Sequence, residues 1–339
     1  MKMKAIGYTT NGAIDRADAL IDLEIEQPTA KGHDILVKVA AVSVNPVDTK
    51  VRQNRPAEGD TPVILGWDAV GEVVEIGDKV SQFKTGDQVW YAGAINRPGT
   101  NAEYHLVDAR IVGRAPKTIE TSAAAALPLT TLTAQEMILD RLKVTDPVPG
   151  AANAIVIIGG AGGVGSIAIQ LLRQQTDLTI IATASRAETQ DWVKELGAHH
   201  VVDHSKPLPE QIAALNIGAP AFVFSTNYSE TYVPQIAEFI APQGRFGLID
   251  DPKGFDIMPF KGKAVSIHWE LMFTRSLFTT DDIARQGEIL DTVAGLIDAG
   301  KVRSTATESF GTINAENLKR AHALIESGRA KGKIVLEGF

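Results

Sequence analysis

The sequence predicts an α/β protein in two parts, a mostly antiparallel, barrel-like β unit and a doubly wound parallel sheet with helices on both faces. Three observations carry this. Up to about residue 126 the apolar residues come in short β-type runs broken by Gly, Pro, Asn and Asp. From residue 127 such runs alternate with stretches of helical periodicity, and a glycine-rich turn stands between the first strand and the first helix of that second part. The length, 339 residues, suits two domains at roughly 150 residues each.

In the first part Ile35-Leu36-Val37-Lys38-Val39, Ala69-Val70-Gly71-Glu72-Val73-Val74 and Gln88-Val89-Trp90-Tyr91 read as strands. In the second, Ile155-Val156-Ile157-Ile158 precedes a helix over residues 167–174 and then the strand Thr179-Ile180-Ile181-Ala182. Strand, helix and strand in that order imply a crossover connection and a parallel sheet. A helix over residues 188–196 closed by Gly197, the short strand Val201-Val202, the strand Ala221-Phe222-Val223-Phe224 and a strand over residues 244–249 continue the alternation. Ala264-Val265-Ser266-Ile267-His268 is expected as the last strand of this sheet, at an edge where a second copy would pair to make a homodimer. Helices over residues 281–298 and 315–327 follow, and Lys333-Ile334-Val335-Leu336 is expected to return to the first domain. The expected division is therefore residues 1–126, 127–270 and 271–339, the outer two forming one domain.

Composition narrows the function. Thirty-three basic against forty-one acidic residues leave a formal charge of −8, with no footprint for nucleic acid. The absence of cysteine removes disulfides, thiolate metal sites and a cysteine nucleophile. Met1-Lys2-Met3-Lys4 leads directly into Ala5-Ile6-Gly7 without the apolar block of a signal peptide, so a cytoplasmic protein is expected. Residues 147–172 carry no charge and are long enough to resemble a membrane span. Their glycine cluster fits a buried strand-turn-helix better, and no membrane partner is expected.

That cluster is Gly159-Gly160-Ala161-Gly162-Gly163-Val164-Gly165, directly after the strand that ends at Ile158. Gly160, Gly162 and Gly165 match G-x-G-x-x-G, and strand before and helix after supply the context that a bare glycine linker lacks. Gly160 is expected to make the tight turn, Gly162 to let a pyrophosphate approach the backbone, and Gly165 to let helix and strand pack closely. The helix N-terminus, with Gly163 and Val164, offers amides and a positive dipole end. After the next strand, where an acidic residue would hold the ribose hydroxyls of NAD, stand Ala184-Ser185-Arg186. A hydroxyl and a guanidinium suit a 2′-phosphate, so NADPH is the expected cofactor. His204 either stacks on adenine or caps a turn.

Gly66-Trp67-Asp68-Ala69-Val70-Gly71-Glu72-Val73-Val74-Glu75-Ile76-Gly77, then Phe83-Lys84-Thr85-Gly86-Asp87-Gln88-Val89, resembles the signature of the medium-chain dehydrogenase/reductase superfamily. Leu127-Pro128-Leu129-Thr130-Thr131-Leu132-Thr133-Ala134, Leu196-Gly197-Ala198 and Gly332-Lys333-Ile334-Val335-Leu336 extend the resemblance over the whole chain. It is similar to the quinone oxidoreductase branch, in the subgroup labelled zinc-type alcohol dehydrogenase-like. The resemblance implies a GroES-like β domain, a Rossmann domain and an active site between them.

Zinc alcohol dehydrogenases of that superfamily hold their catalytic metal with a cysteine, a histidine and a further cysteine or acidic residue. By the resemblance those positions fall here on Asn45, Trp67 and near Leu129, none a good zinc ligand, so no metal is expected. Without a Lewis acid an isolated ketone accepts hydride poorly, whereas a quinone or an α,β-unsaturated carbonyl delocalises the incoming charge. The expected activity is NADPH-dependent reduction of such an acceptor. The resemblance places Asn45, Asp48 and Tyr91 as candidate catalytic residues, with Trp67 and Thr130 lining the acceptor pocket. Asn227, Gly247, Leu248 and Ile249 join the glycine turn on the cofactor side. Asn45-Pro46 also reads as a helix start, and Trp67 and Tyr91 as core packing. A zinc-dependent alcohol dehydrogenase and a non-enzymatic NADPH-binding sensor remain the alternatives.

Overall fold

The computed structural model describes residues 1–339. The chain begins with β1 (Lys2–Tyr8), β2 (Ile21–Glu26), β3 (Asp34–Val44), α1 (Pro46–Asn54), β4 (Val63–Ile64), β5 (Ala69–Ile76), β6 (Gln88–Tyr91), β7 (Tyr104–Asp108) and β8 (Gly113–Arg114). α2 (Thr121–Ala125) and α3 (Pro128–Gln135) lead into a π-helical turn, Glu136–Arg141. Then come β9 (Ala152–Ile158), α4 (Gly163–Gln175), β10 (Thr179–Thr183), α5 (Ala187–Glu195), β11 (His200–Val202), α6 (Leu208–Ala213), β12 (Pro220–Ser225), α7 (Ser229–Phe239), β13 (Arg245–Leu248) and β14 (Ser266–Trp269). α8 (Thr274–Phe278), α9 (Arg285–Asp298), β15 (Ala306–Ser309), α10 (Ala315–Glu326) and β16 (Lys333–Glu337) complete the chain.

Two compact units result: Met1–Leu132 with Phe273–Phe339, and Thr133–Met272. In the first, a seven-stranded sheet runs β15-β16-β3-β5-β6-β8 with β7 also on β3, and a three-stranded sheet runs β2-β1-β4. All pairings are antiparallel except β15 with β16. β16 lies on β3 with Ile334 opposite Val44, so residues from the two ends of the chain become neighbours. That register matters for the site below.

The second unit is a six-stranded parallel sheet in the order β11-β10-β9-β12-β13-β14. β9 is buried on both faces from Ala154 onward, which is why its sequence is a continuous apolar run rather than an alternating one. Phe246 on β13 packs against Phe260 and Phe255, ring centroids 5.5 and 6.1 Å away. Each such side chain contributes about 1.5–3 kcal/mol by leaving water. No helix of the structure is long and apolar enough to cross a membrane.

The fold class expected from sequence is the one observed. The last strand of the parallel sheet starts two residues later than expected, because Ala264 takes a left-handed conformation (φ 51°) that ends the 3-10 turn Met258–Lys263. β1, β2, β4, β7, β8, β15, α2, α3, α6, α7 and α8 were not expected. α7 hides because Pro234 sits inside it and left-handed Tyr228 precedes it.

Candidate active site

In the parallel unit the chain winds from β9 outward to β10 and β11, then crosses over to β12, β13 and β14. The direction of winding reverses between β9 and β12, and ligands of such sheets bind beyond the carboxyl ends of the strands at that reversal. The glycine turn lies there. Gly159 is the residue with positive φ, 79°, and a Cβ on it would come within 2.2 Å of Thr226 Oγ1. The tight turn is thus made at Gly159 and not at Gly160. Gly160 is needed instead for packing, its Cβ direction pointing 2.9 Å from Ala182 Cβ.

Gly165 does what was expected, because a Cβ there would lie 2.5 Å from Gly159 O and 2.7 Å from Gly160 Cα. Gly162 is different: a Cβ would meet only Gly159 O, at 3.5 Å. Nothing inside the fold demands a glycine at 162, and the open space it leaves faces the uncapped start of α4. The first-turn amides of that helix, on Gly163, Val164 and Gly165, are a ready anion cradle. These residues fit a dinucleotide diphosphate.

Thr183 closes the turn from the side. Its Oγ1 accepts the Gly159 N–H at 3.0 Å and lies 3.2 Å from His204 Nδ1. Burial, more than the neighbouring Arg186 charge, lowers the His204 pKa. Arg186 caps α5, is substantially exposed, and lies 3.4 Å from Glu188. Asn227 is beside the turn, its Oδ1 2.9 Å from the Cβ position of Gly159. Of Gly247, Leu248 and Ile249, only Ile249 lies past the end of β13. Leu248 belongs to the apolar core, and a Cβ on Gly247 would run into Met137 Sδ at 2.2 Å, so that glycine serves the packing of the π-helical turn.

In the β unit the chemistry centres on Asp68, whose carboxylate is fully buried. Its Oδ2 accepts from Ser43 Oγ at 2.6 Å, Asn45 Nδ2 at 2.7 Å and Lys333 Nζ at 3.1 Å; its Oδ1 accepts the Leu129 N–H at 2.7 Å. Lys333 also donates to Val44 O at 3.1 Å and to Asn45 Oδ1. Asp48, on the first turn of α1, accepts the Asn45 N–H at 2.7 Å. Burial pushes the Asp48 carboxyl up to about 7; the Asn45 N–H and the Lys333 ammonium oppose this, and the Asp68 charge adds to it.

Tyr91 is fully buried and lies 3.1 Å from His105 Nδ1, while His105 Nε2 is 2.9 Å from Pro98 O. Burial holds His105 near 4, so the ring is neutral, and the carbonyl on Nε2 assigns the proton to that nitrogen. Nδ1 then accepts the phenol hydrogen. The Tyr91 hydroxyl is thus directed to His105, in keeping with the packing alternative of the two readings the sequence left open. Trp67 donates its indole N–H to Ala94 O at 3.3 Å and meets Phe273 edge-on at 6.1 Å. Thr130 donates its hydroxyl to Leu127 O at 3.1 Å.

Two family descriptions match this chain: the alcohol dehydrogenase GroES-like domain over residues 31–117 and the zinc-binding dehydrogenase over residues 196–336. A zinc-type alcohol dehydrogenase-like protein of Staphylococcus aureus (strain MSSA476) is 38% identical over 98% of this chain and 99% of its own. The chain belongs to the medium-chain dehydrogenase/reductase superfamily. As a member of that superfamily it is an oxidoreductase. A crystal structure from Rhizobium etli CFN 42, provisionally described as a zinc-dependent alcohol dehydrogenase, is 60% identical with a TM-score of 0.98, covering 100% of this chain and 99% of that one. The quinone oxidoreductase of Coxiella burnetii is 26% identical with a TM-score of 0.80 over the full length of both chains.

The zinc in these family names can be tested against the donors present. Zinc needs lone pairs from nitrogen, sulfur or carboxylate oxygen. Asn45 has its amide oxygen on Lys333, Trp67 has only an N–H, and Leu129 contributes a backbone N–H. Asp68 already receives four donors, three on Oδ2 and one on Oδ1, one of them the Lys333 ammonium. No group of three His, Asp or Glu side chains stands close enough to share an ion. These residues do not fit zinc. Sequence reasoning named Asn45 and Trp67 but missed Ser43, Asp68, Lys333, His105 and Thr183, although Asp68 and Lys333 lie within the motifs that carried the resemblance.

Proposed function

We propose that this oxidoreductase transfers hydride from NADPH to a quinone or another α,β-unsaturated carbonyl compound without metal assistance. The observation that carries the proposal is the donor set at Asn45, Trp67 and Leu129, which offers an acceptor oxygen an amide hydrogen but no Lewis acid. A quinone contains two enone units in one ring. Hydride and one proton convert it to a hydroquinone, and the same pair converts an enone to a saturated ketone. In both, the charge arriving with hydride spreads over a conjugated system before the proton is added, so a hydrogen bond suffices where an isolated ketone needs a cation.

The bound nicotinamide supplies the hydride. Gly162 leaves room for the diphosphate, and the amides of Gly163, Val164 and Gly165 bind it. Ser185 and Arg186 hold a 2′-phosphate, with His204 against the adenosine and Asn227 and Ile249 toward the nicotinamide end. Asn45 donates to the acceptor oxygen. Trp67, Thr130 and the buried Tyr91–His105 pair form and support the wall behind it. We further propose a homodimer formed along β14, an edge strand on which Trp269 is 54% exposed, with Leu271 just beyond it 53% exposed.

The test is NADPH oxidation with a panel of quinones and enals beside simple ketones and aldehydes, with and without a chelator. Turnover confined to the conjugated acceptors and indifferent to chelation is the expected result. Saturable NADPH binding with no turnover of any acceptor would leave a binding protein, and zinc-dependent turnover of a simple alcohol or ketone would overturn the reading.

A further inference from the structure

A buried ammonium sits among the residues that stand where zinc members of the family hold their metal. Lys333 is 3% exposed and has three hydrogens to donate. All three are spent, on Val44 O, Asn45 Oδ1 and Asp68 Oδ2. Asp68 in turn receives four donors, and the opposite charge of Lys333 lies 3.1 Å away. A buried ionic pair of this kind persists only when its remaining hydrogen-bonding sites are satisfied, as they are here.

The chemistry of these partners also settles the orientation of the Asn45 side chain. An ammonium only donates and an ionised carboxylate only accepts. Asn45 must therefore present Oδ1 to Lys333 and Nδ2 to Asp68. Of its two amide hydrogens, one goes to Asp68 at 2.7 Å and the other has no partner in the structure. Were the amide to flip, Nδ2 would face the ammonium and Oδ1 the carboxylate, and each charge would lose one hydrogen bond.

Chain geometry delivers the lysine. Lys333 opens β16, which pairs with the end of β3 so that Ile334 stands opposite Val44, one residue before Asn45. Gly332 has φ 55°, and a Cβ there would lie 2.4 Å from Thr305 O, so only glycine admits the turn that brings Lys333 to this point.

We propose that Lys333 is the resident cation of this site and a positioning residue for Asn45, locking the amide so that its second hydrogen is the one offered to the acceptor oxygen. The functional half of this rests on the reading of Asn45 above; the locking half does not. Lys333 thereby holds this wall with its own charge, and with its ammonium on Asn45 Oδ1 and Asp68 Oδ2 it also keeps a metal cation out.

The experiment has two readouts on the full chain. Selective ¹⁵N-asparagine labelling, with the Asn45 pair assigned by its loss in Asn45→Asp, is expected to show two separate Nδ2 hydrogens, one shifted downfield and protected from solvent exchange. Lys333→Met is expected to abolish that protection by tenfold or more. With a conjugated acceptor the same variant is expected to lower kcat by about 10- to 100-fold while leaving NADPH affinity unchanged, and Lys333→Arg to recover part of the loss. If Lys333→Met fails to fold because Asp68 is left unpaired, the charge-balanced Lys333→Met/Asp68→Asn variant carries the same expectations. Retained protection of the Asn45 amide in the folded variants would overturn the lock whether or not any acceptor is turned over. Lost protection with undiminished kcat would overturn its role in the reaction.

Discussion

Substituting Gly162 and Gly165 separately divides what the glycine turn does for the fold from what it does for a ligand. A methyl on residue 165 would be driven to 2.5 Å from Gly159 O and 2.7 Å from Gly160 Cα, backbone atoms that cannot swing aside. Overpacking of this kind costs about 1–3 kcal/mol, so Gly165→Ala is expected to melt several degrees lower than wild type. At residue 162 the only neighbour is Gly159 O at 3.5 Å, an ordinary contact, and φ −73° with ψ 174° is open to any residue. The fold then loses at most the advantage of Gly over Ala at a helix start, on the order of 1 kcal/mol. The methyl instead occupies space that a diphosphate needs. If the same 1–3 kcal/mol or so appears in binding, NADPH affinity falls roughly 5- to 150-fold. Fluorescence titration with NADPH beside calorimetric melting of both variants decides it. Undiminished affinity in Gly162→Ala would refute the assignment of the cradle, and a wild-type melting temperature in Gly165→Ala would refute the packing argument.

Three further outcomes are expected. Arg186→Ala should weaken NADPH binding by about tenfold or more while leaving NADH nearly unchanged, since a charge-assisted contact to the 2′-phosphate is worth about 1.5–3 kcal/mol; equal losses for both nucleotides would remove Arg186 from that role. Burial raises the Asp48 carboxyl to about 7, so between roughly pH 4 and that value the folded chain keeps a proton that the unfolded chain releases. The stability of wild type relative to Asp48→Asn should thus be greatest near pH 4, decline as the pH rises to about 7 and then level off; denaturant titrations giving a constant difference across that window would contradict it. Sedimentation is expected to show a dimer that Trp269→Glu breaks, and a wild-type monomer at micromolar concentration would end the β14 pairing proposal.

Much of the fold was legible because its signals are local. The doubly buried β9 announces itself as an unbroken apolar run, and β6 was read to the residue from four consecutive positions. β2 shows a strict alternation of half-buried and exposed residues but was passed over beside its more apolar neighbours. Tyr91 was left between two readings because a strand-end tyrosine looks the same whether its hydroxyl meets a ligand or, as here, a histidine fourteen residues on.

Chain order alone was enough to predict the parallel sheet and the glycine turn after its first strand, since each depends on which residue types lie within a few positions of one another. It could not reveal that Asn45, Asp68 and Lys333 form one cluster, with separations of 23, 265 and 288 residues among them. Those three meet because β16 pairs with β3 in one register, and hydrogen bonds reach about 3 Å whatever the distance along the chain. Nor could it tell Gly159 from Gly160 as the turning residue, or show that Gly162, unlike Gly159, Gly160 and Gly165, has room for a Cβ, because both follow from what packs against the backbone.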